Sequence, residues 1–548
     1  MRTVTTFGTT TALAAGLVAA FSTIAAVRGS DDFRIREGVP DANPSNPPAA
    51  FVQPNVLADG FELRRLVQGS DPLENPSGVI TQFGLLNDAA KTKTEPDQST
   101  YLVFDREPGG PTAGYHYGHH FLFQGHENGS NLAYMTRINL DVTDPAHRIT
   151  LLTPVNPATG LTGFSAVDGS TWNPFTRTLL FTQEVSGTGG VVEISSDWPP
   201  TVRRLDGVMG RGAYEGVQLD DKGNVILVED AGGTTVNVVR GDATTPKTAR
   251  QPNSFVFRFD PYNREDLSAG GRLYSLQVFI DGAPLMFHAA DPVGDVFADA
   301  QLQLHTPGSS WPVRWLLLHD TAVDGTAAFD ANALAKTKGA TPFKRPENAK
   351  FLPGSGFDTF FFCPTGDTDA NAGNQPALAA RGAWGSIFRV DFPSGNRDGS
   401  IQIAVLGDAD HASFDNLTFA DDETLLATED RGDTLHDQLN KLDSVWAFEI
   451  TGRHRSAKRL LALGRDPLAT AEDNEPTGFH VSDGATSIAG LLGRREPGKA
   501  ERDKDRDRDS SGRGRGKDDD KDRDLDARMF VTQQHGMNQL FEIVRVQR

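Results

Sequence analysis

Cysteine is almost absent from this sequence, since Cys363 is the only one among 548 residues. One thiol excludes an intrachain disulfide framework, and it also excludes a cysteine-rich zinc or iron–sulfur site. Cys363 ends an aromatic run, so we interpret it as a small buried residue and not as a nucleophile. A chain of this length can bury a large core without such cross-links.

Basic residues are in deficit as well: 53 Lys and Arg stand against 73 Asp and Glu, for a formal net charge of −20. A protein that binds a nucleic-acid backbone needs a basic surface, so this balance argues against nucleic acid as a partner. An acidic surplus instead suits the binding of cations.

Several catalytic signatures are missing. The sequence contains no Gly-Xaa-Ser-Xaa-Gly elbow, no Walker loop and no His-Glu-Xaa-Xaa-His. A serine nucleophile therefore has no support from the sequence. A hydrolase with this sequence would use water activated by a metal ion.

Helical periodicity is scarce, whereas short apolar runs bounded by Gly, Asp, Asn and Pro are common, which predicts an all-β fold. Two stretches repeat one pattern, at residues 215–230 and 415–430. Each has a carboxylate, an apolar alternation, a polar turn, an apolar run and a final acidic pair. Each copy predicts a β-hairpin with acids at one end of both strands.

Six apolar runs of this kind end in, or lead shortly to, a polar or acidic group. The groups lie at Glu127, Glu184, Asp230, Asp367, Asp430 and His535. Six such units predict a six-bladed β-propeller over residues 55–548. The first strands of its blades would face a common channel.

The two ends of the chain and one internal segment depart from this pattern. Residues 1–26 are apolar and rich in alanine, which predicts a signal peptide without a twin-arginine pair, and an uncleaved anchor is the alternative. We expect a flexible lead-in at 27–54, a secreted or periplasmic monomer, and no membrane span after cleavage. The charged segment 494–526 predicts a disordered insert between the two halves of one hairpin.

Acids that repeat at one end of the blades would converge in the channel. They are candidate ligands as a group: Glu127, Glu184, Glu215, Glu229, Asp230, Glu347, Asp415, Glu429 and Asp430. Oxygen-only ligand sets suit hard cations such as Ca²⁺. Arg211 and Arg345 stand close to these acids in the sequence and are candidates for holding an oxyanion. Pairing of each arginine with its acidic neighbours is the alternative.

These residues resemble the PhoX-type secreted alkaline phosphatases, as a divergent member. The resemblance lies in Gly125-His126-Glu127, Gly210-Arg211 with Tyr214-Glu215-Gly216-Val217, Val228-Glu229-Asp230, Arg345-Pro346-Glu347, Phe414-Asp415-Asn416-Leu417, Glu475 with Thr477-Gly478, and Phe530-Val531-Thr532-Gln533-Gln534-His535. It implies a six-bladed propeller that hydrolyses small-molecule phosphate esters with calcium and iron ions. It also implies that Glu215 and Glu347 bind metal and that Arg345 holds the phosphate.

The sequence departs from the family at the iron site. Thr182 stands where the family has the cysteine that binds iron, and Gln183 replaces the first of the two following glutamates. The resemblance therefore supports Ca²⁺ more strongly than Fe³⁺. Two alternatives stay open: a calcium-binding propeller without catalysis, and a metal-dependent esterase or lactonase.

Overall fold

The structure is a computed structural model that describes residue 35 and residues 55–87, 92–129, 131–393, 397–451, 457–463, 475–488 and 527–546. The predicted signal peptide at 1–26 and the charged insert at 494–526 lie outside the described residues. So does the lead-in at 27–54, except for Ile35, which is buried. All three stay predictions.

The first part of the chain forms two four-stranded antiparallel sheets, β5 to β8 and β9 to β12. Its strands are β1 Val56–Leu57, β2 Phe61–Val67, β3 Leu85–Asn87, β4 Thr92–Lys93, β5 Glu95–Val103, β6 His120–Glu127, β7 Tyr134–Asn139, β8 Ile149–Leu151, β9 Val167–Asn173, β10 Thr178–Gln183, β11 Gly190–Ser195 and β12 Val202–Arg204. Strands β3 and β4 pair with each other.

The middle of the chain forms a ten-stranded sheet in the order β13-β14-β17-β18-β20-β24-β23-β22-β21, with β19 paired to β18. Its segments are β13 Tyr214–Leu219, β14 Val225–Glu229, β15 Thr235–Val236, β16 Ala249–Arg250, β17 Val256–Pro261, β18 Gly271–Ile280, β19 Ala283–Pro284, β20 Trp311–Asp320, β21 Pro346–Phe351, β22 Thr359–Pro364, β23 Ser386–Asp391 and β24 Asp398–Leu406. Strands β15 and β16 form a separate pair.

The last part supplies two further sheets, each completed by a strand from the start of the described chain. The strands are β25 Phe414–Phe419, β26 Thr424–Glu429, β27 Ser444–Glu449, β28 Ala457–Ala462, β29 Pro476–Ser482, β30 Arg528–Gln533 and β31 Leu540–Arg545. One sheet has the order β1-β28-β27-β26-β25, and the other has the order β2-β31-β30-β29. The pairing of β2 with β31 joins the two ends in one sheet.

Helices are short and lie in connections. They are α1 Pro292–Val296, α2 Asp299–Leu304, α3 Thr321–Asp324, α4 Ala331–Lys338, α5 Ala370–Gly373, α6 Pro376–Ala379 and α7 Gly432–Leu439, with one 3₁₀ turn at Leu267–Ala269. Within the described ranges, no helix has the length and apolar character needed to cross a membrane.

The core lies between neighbouring sheets. Phe121 and Phe123 of β6 belong to one buried cluster with Trp172 of β9 and Phe181 of β10, so the first two sheets pack face to face. Full burial of such a side chain stabilises the fold by about 1.5–3 kcal/mol. Leu122, between the two phenylalanines of β6, belongs to a different buried cluster, because successive side chains of a strand face opposite sides.

The structure confirms the two predicted repeat hairpins and their identical spacing. Tyr214 pairs with Glu229 and Phe414 pairs with Glu429, and Val217 with Leu227 matches Leu417 with Ala427. Strand β29 also pairs with β30, the pairing that was predicted across the charged insert.

The fold is all-β with a propeller-like arrangement, in which four sheets are separate blades. The prediction of six blades is not decided by this strand order, because the ten-stranded sheet is continuous. It stays a prediction.

Candidate metal centre

Six strand pairs define the geometry of the site. We call β5, β9, β13, β21, β25 and β29 the first strands, and their partners β6, β10, β14, β22, β26 and β30 the second strands. In each pair, the end of the second strand lies opposite the start of the first. The opposed residues are Pro96 with His126, Val167 with Gln183, Tyr214 with Glu229, Pro346 with Pro364, Phe414 with Glu429, and Pro476 with Gln533.

The next residue of each first strand is an acid in five of the six pairs. These residues are Asp97, Asp168, Glu215, Glu347 and Asp415, and the sixth is Thr477. A register shift follows in these pairs, for example between Tyr214 and Val217. Such a bulge re-aims a side chain locally.

Glycines allow neighbouring first strands to approach closely behind these acids. A Cβ on Gly169 would lie 1.8 Å from the carbonyl oxygen of Glu215, and one on Gly216 would lie 2.9 Å from that of Glu347. Only a residue without a side chain fits such a contact. The pairs Asp168-Gly169 and Glu215-Gly216 therefore bring carboxylates of successive first strands together.

The second strands contribute acids one residue beyond the opposed position. These residues are Glu127, Glu184, Asp230 and Asp430, and the equivalent positions in the other two pairs hold Thr365 and Gln534. A repeated backbone bond anchors them: the amide of Asp230 donates to Ala213, and that of Asp430 donates to Ser413, both at 2.8 Å.

Seven of these nine acids, all except Asp415 and Asp430, form a continuous chain of carboxylates. Three groups each have ligand oxygens within 4.8 Å of one another: Asp97, Glu127 and Asp168; then Asp168, Glu184 and Glu215; then Glu215, Asp230 and Glu347. Asp168 and Glu215 each belong to two groups. Every donor is a carboxylate oxygen, which is the set that hard cations prefer.

Burial and mutual repulsion make this chain unstable in its fully charged form. Burial raises the pKa of Glu215 well above its usual range, and Glu347, Asp168 and Asp415 raise it further. Burial raises the pKa of Glu347 to about 8 even though Arg345 opposes the shift. Several carboxylates in one buried site need protons or cations to stay together.

Two oxygens in the chain support cations over protons alone. Oδ1 of Asp168 and Oε2 of Glu215 are buried and accept no hydrogen bond from the described residues. A buried polar atom without a partner is costly. These residues therefore fit a bound cation.

Hydrogen bonds fix two further acids of the first strands, Asp97 at one end of the carboxylate chain and Asp415 beside it. Asp97 accepts from the hydroxyl of Thr477 at 2.6 Å and from the amide of Gln534 at 2.9 Å. Asp415 accepts from Asn416 at 2.6 Å and from Thr428 at 3.3 Å. Burial still raises the pKa of Asp97 to about 6.

Arg345 meets the carboxylate chain at one end. Its Nε donates to Asp230 Oδ1 at 3.0 Å, its Nη2 donates to Oδ2 at 2.7 Å, and Nη2 lies 3.3 Å from Oε1 of Glu347. Its backbone has a φ of 57°. This left-handed conformation is unusual for arginine and marks a locally constrained position.

A cavity of about 430 Å³ opens where the second-strand acids and Arg345 meet. Its lining comprises Glu184, Ser186, Ala213, Asp230, Gly232, Arg250, Arg345, Thr368, Asp430 and Gly432. Arg250 is a second guanidinium at this cavity. Burial lowers its pKa, and the positive charge of Arg345 lowers it further. Two cations that repel each other beside an opening suit an anionic ligand.

The structure brings together most of the acids that the sequence singled out. Glu127, Glu184, Glu215, Asp230 and Glu347 lie in the three groups, Asp430 lines the cavity, and Asp415 lies beside Glu215. Sequence reasoning missed Asp97 and Asp168 because their strands are polar. The acid–glycine pair that Asp168-Gly169 shares with Glu215-Gly216 is the signal that could have found the second.

Three predicted site residues lie outside these groups and do not line the cavity. Glu229 accepts from Asn332 at 2.8 Å, Glu429 accepts from Arg431 at 2.6 Å, and Arg211 donates to Asp206 at 2.9 Å. The two glutamates directly precede Asp230 and Asp430. Adjacent strand residues face opposite sides, so only one of each acidic pair can face the cavity.

Thr182 and Cys363 hold equivalent places in two second strands. The hydroxyl of Thr182 donates to the carbonyl of Glu215, and the thiol of Cys363 donates to the carbonyl of Asp415 at 2.7 Å. Each side chain thus links its own sheet, through a hydrogen bond, to the backbone of an acid in the following first strand. Cys363 is buried, as the sequence predicted.

No protein-family model matches this sequence, and no curated protein matches it. Among solved structures, Pseudomonas fluorescens PhoX in complex with vanadate is similar, with a TM-score of 0.53 and 13% identity over 93% of this chain and 98% of that chain. The fold is PhoX-like.

Two other solved structures align less well. TolB from Acinetobacter baumannii has a TM-score of 0.31 at 8% identity, over 82% of this chain and 63% of that one. The aldose sugar dehydrogenase of Streptomyces coelicolor has a TM-score of 0.26 at 9% identity, over 74% and 99%.

Proposed function

We propose that this protein is a metal-dependent hydrolase of small phosphate esters that acts in the 430 Å³ cavity. One observation carries the proposal: a chain of buried carboxylates, which needs cations, ends at Arg345 beside a second guanidinium. A phosphate ester needs positive charge on several oxygens at once, and phosphoryl transfer depends mainly on positioning and charge neutralisation.

Calcium is the cation that this donor set suits best. Glu215, shared by two of the three groups, and Asp168 would be central ligands, with Glu127, Glu184 and Glu347 around them. Bound cations would supply charge neutralisation and Lewis-acid activation of water. Thr182 offers no thiolate, and its hydroxyl is engaged by a backbone carbonyl, so we do not propose the family's iron site in its usual form.

Arg345 and Arg250 would bind the substrate phosphate. Nε and Nη2 of Arg345 already donate to Asp230, so the phosphate oxygens would be met by its Nη1 and by the guanidinium of Arg250. Asp230 and Glu347 hold Arg345 in place, and the constrained backbone of Arg345 directs its side chain across to the preceding blade. The protein would thus hold the arginine that binds the oxyanion in place before any reaction begins.

The proposal includes six blades around this site. Strand β20 bridges β18 and β24, so the ten-stranded sheet divides into β13-β14-β17-β18 and β21 to β24. The first strands contact one another in chain order, and β29 contacts β5. Two blades from the large sheet and four separate ones make a closed ring of six.

Substrate tests separate this proposal from its competitors. Full-length protein, stripped with chelator and reloaded with calcium, should hydrolyse p-nitrophenyl phosphate and be inhibited by vanadate, the transition state analogue present in the PhoX structure. A lactone and a phosphodiester serve as comparison substrates. Hydrolysis of the lactone but of neither phosphate ester would favour an esterase or lactonase function over a phosphatase function. No hydrolysis, with calcium still raising Tm, would leave a calcium-binding propeller.

A further inference from the structure

A second, smaller cavity lies on the same axis as the carboxylate chain, three residues further along the first strands. Its lining includes Thr100 of β5, Ser170 of β9, Gln218 of β13, Lys350 of β21 and His480 of β29. Three of these follow Asp97, Glu215 and Glu347 by three residues, which is about 10 Å of strand. Residues from five first strands can meet in this way only near the common axis.

This cavity has several groups that can donate hydrogen bonds, in contrast to the acidic end. Its described lining residues include no carboxylate. The ammonium group of Lys350 has no hydrogen bond or ion pair with the described part of the chain. Nε2 of His480 is buried and has no hydrogen-bond partner there. Lys350 is half-buried, and an unpaired charge in such a place and an unsatisfied buried ring nitrogen both cost free energy unless a ligand meets them.

Two hydroxyl groups add to the donors. The oxygen of Ser482 accepts from the amide of Gly484 at 2.9 Å, which leaves its own hydrogen to donate. Thr100 and Ser170 share one hydrogen bond of 2.9 Å, so one hydrogen of that pair is also free. Several donors around one space, without an acid, form a site for an acceptor of negative charge.

Charge and size select the ligand. Burial lowers the pKa of Lys350 to about 8, so the lysine is still charged at neutral pH. Burial and the charge of Lys350 lower the pKa of His480 to about 3, so the ring is neutral. The space open to a water-sized sphere is about 10 Å³, which is room for one water or one monatomic ion and excludes a phosphate.

The geometry points to a binding site for a single monatomic anion, chloride, between Lys350 and His480 on the propeller axis. The anion neutralises Lys350 and accepts hydrogen bonds from the ring nitrogen and the hydroxyl groups. A water molecule could accept the same bonds but leaves the lysine charge without compensation. The site is separate from the cavity assigned to phosphate esters and does not depend on that assignment.

Chloride-dependent stability tests the site in solution. Calcium-loaded full-length protein is melted in sodium chloride and in sodium gluconate at equal ionic strength. Chloride should raise Tm in a saturable way, because it binds the native state. Lys350→Met should abolish the chloride effect, whereas Lys247→Met, at an exposed lysine, should keep it. An equal chloride effect in wild type and Lys350→Met overturns the proposal.

Bromide provides a test that needs no variant. Crystals of the unaltered protein grown in sodium bromide should give one anomalous peak between Lys350 and His480. Should Lys350→Met fail to fold, Ser482→Ala removes one donor and should weaken chloride binding at least several-fold. No anomalous peak at this place, with density for a water only, overturns the proposal.

Discussion

Two hairpins with the same register differ in what their acids can do. In the β13–β14 hairpin, Glu215 keeps one oxygen without a hydrogen bond among the described residues and belongs to two groups of carboxylates. In the β25–β26 hairpin, Asp415 has both oxygens engaged, by Asn416 and Thr428. The repeat places both carboxylates on the axis. Their neighbours decide which of them can bind a cation.

The second acids of the same hairpins differ in a parallel way. Asp230 is gripped by the fork of Arg345, whereas Asp430 accepts a backbone bond from Gly432 at 2.8 Å. Arg345 directly precedes the first strand β21, and Ser413 holds the equivalent position before β25. Both residues have a positive φ. One exception to the repeat thus supplies the arginine that the proposed chemistry needs.

The largest effect is expected from the acids of the first strands. Glu215→Gln should lower phosphomonoester hydrolysis by at least about 10³-fold and remove the calcium-induced rise in Tm, because it removes a shared ligand. Asp415→Asn should cost about 10–100-fold, as expected of a residue that positions ligands. Steady-state kinetics and melting in calcium measure both. Equal losses in the two variants would contradict the distinction between the hairpins.

Arg345 separates substrate binding from metal binding. Arg345→Ala should lower kcat/KM by about 10²–10³-fold, because a charged donor to the oxyanion is lost. Arg345→Lys should recover only part of this loss, since a lysine cannot fork. The calcium-induced rise in Tm should persist in both variants. Activity undiminished in Arg345→Ala would remove this residue from the site.

The hairpin pattern explains how much of the site could be predicted from the sequence. Apolar alternation and a constant spacing predicted the hairpins that carry Glu215 and Asp415, and the structure confirms them. Strands β5 and β9 are polar at their start, so the acids Asp97 and Asp168 had no apolar pattern to mark them.

Other parts of the site depend on contacts between distant segments. Arg250 reaches the cavity from a two-stranded pair outside the blades, and no local pattern marks it. Glu229 and Glu429 were predicted as ligands because each belongs to the acidic pair that ends a repeat hairpin. A sequence shows both members of such a pair, but the direction of each side chain follows only from the register.

The pH dependence of stability should reveal the crowded acids. The folded-state pKa of Glu347 is raised to about 8 and that of Asp97 to about 6, both by burial first. The folded state therefore holds protons that the unfolded state has released. Stability of chelator-treated protein should fall as pH rises from about 5 to 8.

Calcium and a matched variant sharpen this prediction. Saturating calcium should make the free energy of unfolding less dependent on pH, because cations replace the protons. Glu347→Gln should reduce the decrease in the free energy of unfolding between about pH 6 and 8. Chemical denaturation at each pH measures the free energy of unfolding. Stability that rises over this range without calcium would contradict the assignment.

The smallest effect is expected at Arg211. It lies outside the cavity lining and pairs with Asp206, so Arg211→Ala should leave kcat/KM within about twofold of wild type. The sequence alone placed Arg211 beside Arg345 as a candidate for holding phosphate. A loss as large as that of Arg345→Ala would show that the sequence was the better guide.

A calcium titration of chelator-stripped, full-length protein tests the central claim most directly, with Tm and p-nitrophenyl phosphate hydrolysis followed in the same samples. Both should rise with the same calcium dependence, and Tm should gain about 2–3 °C per calcium site at a hundredfold excess over Kd. Neither should change in Glu215→Gln. A Tm that does not respond to calcium would contradict the account, because the carboxylate chain would then be stable without the cations that it is proposed to bind.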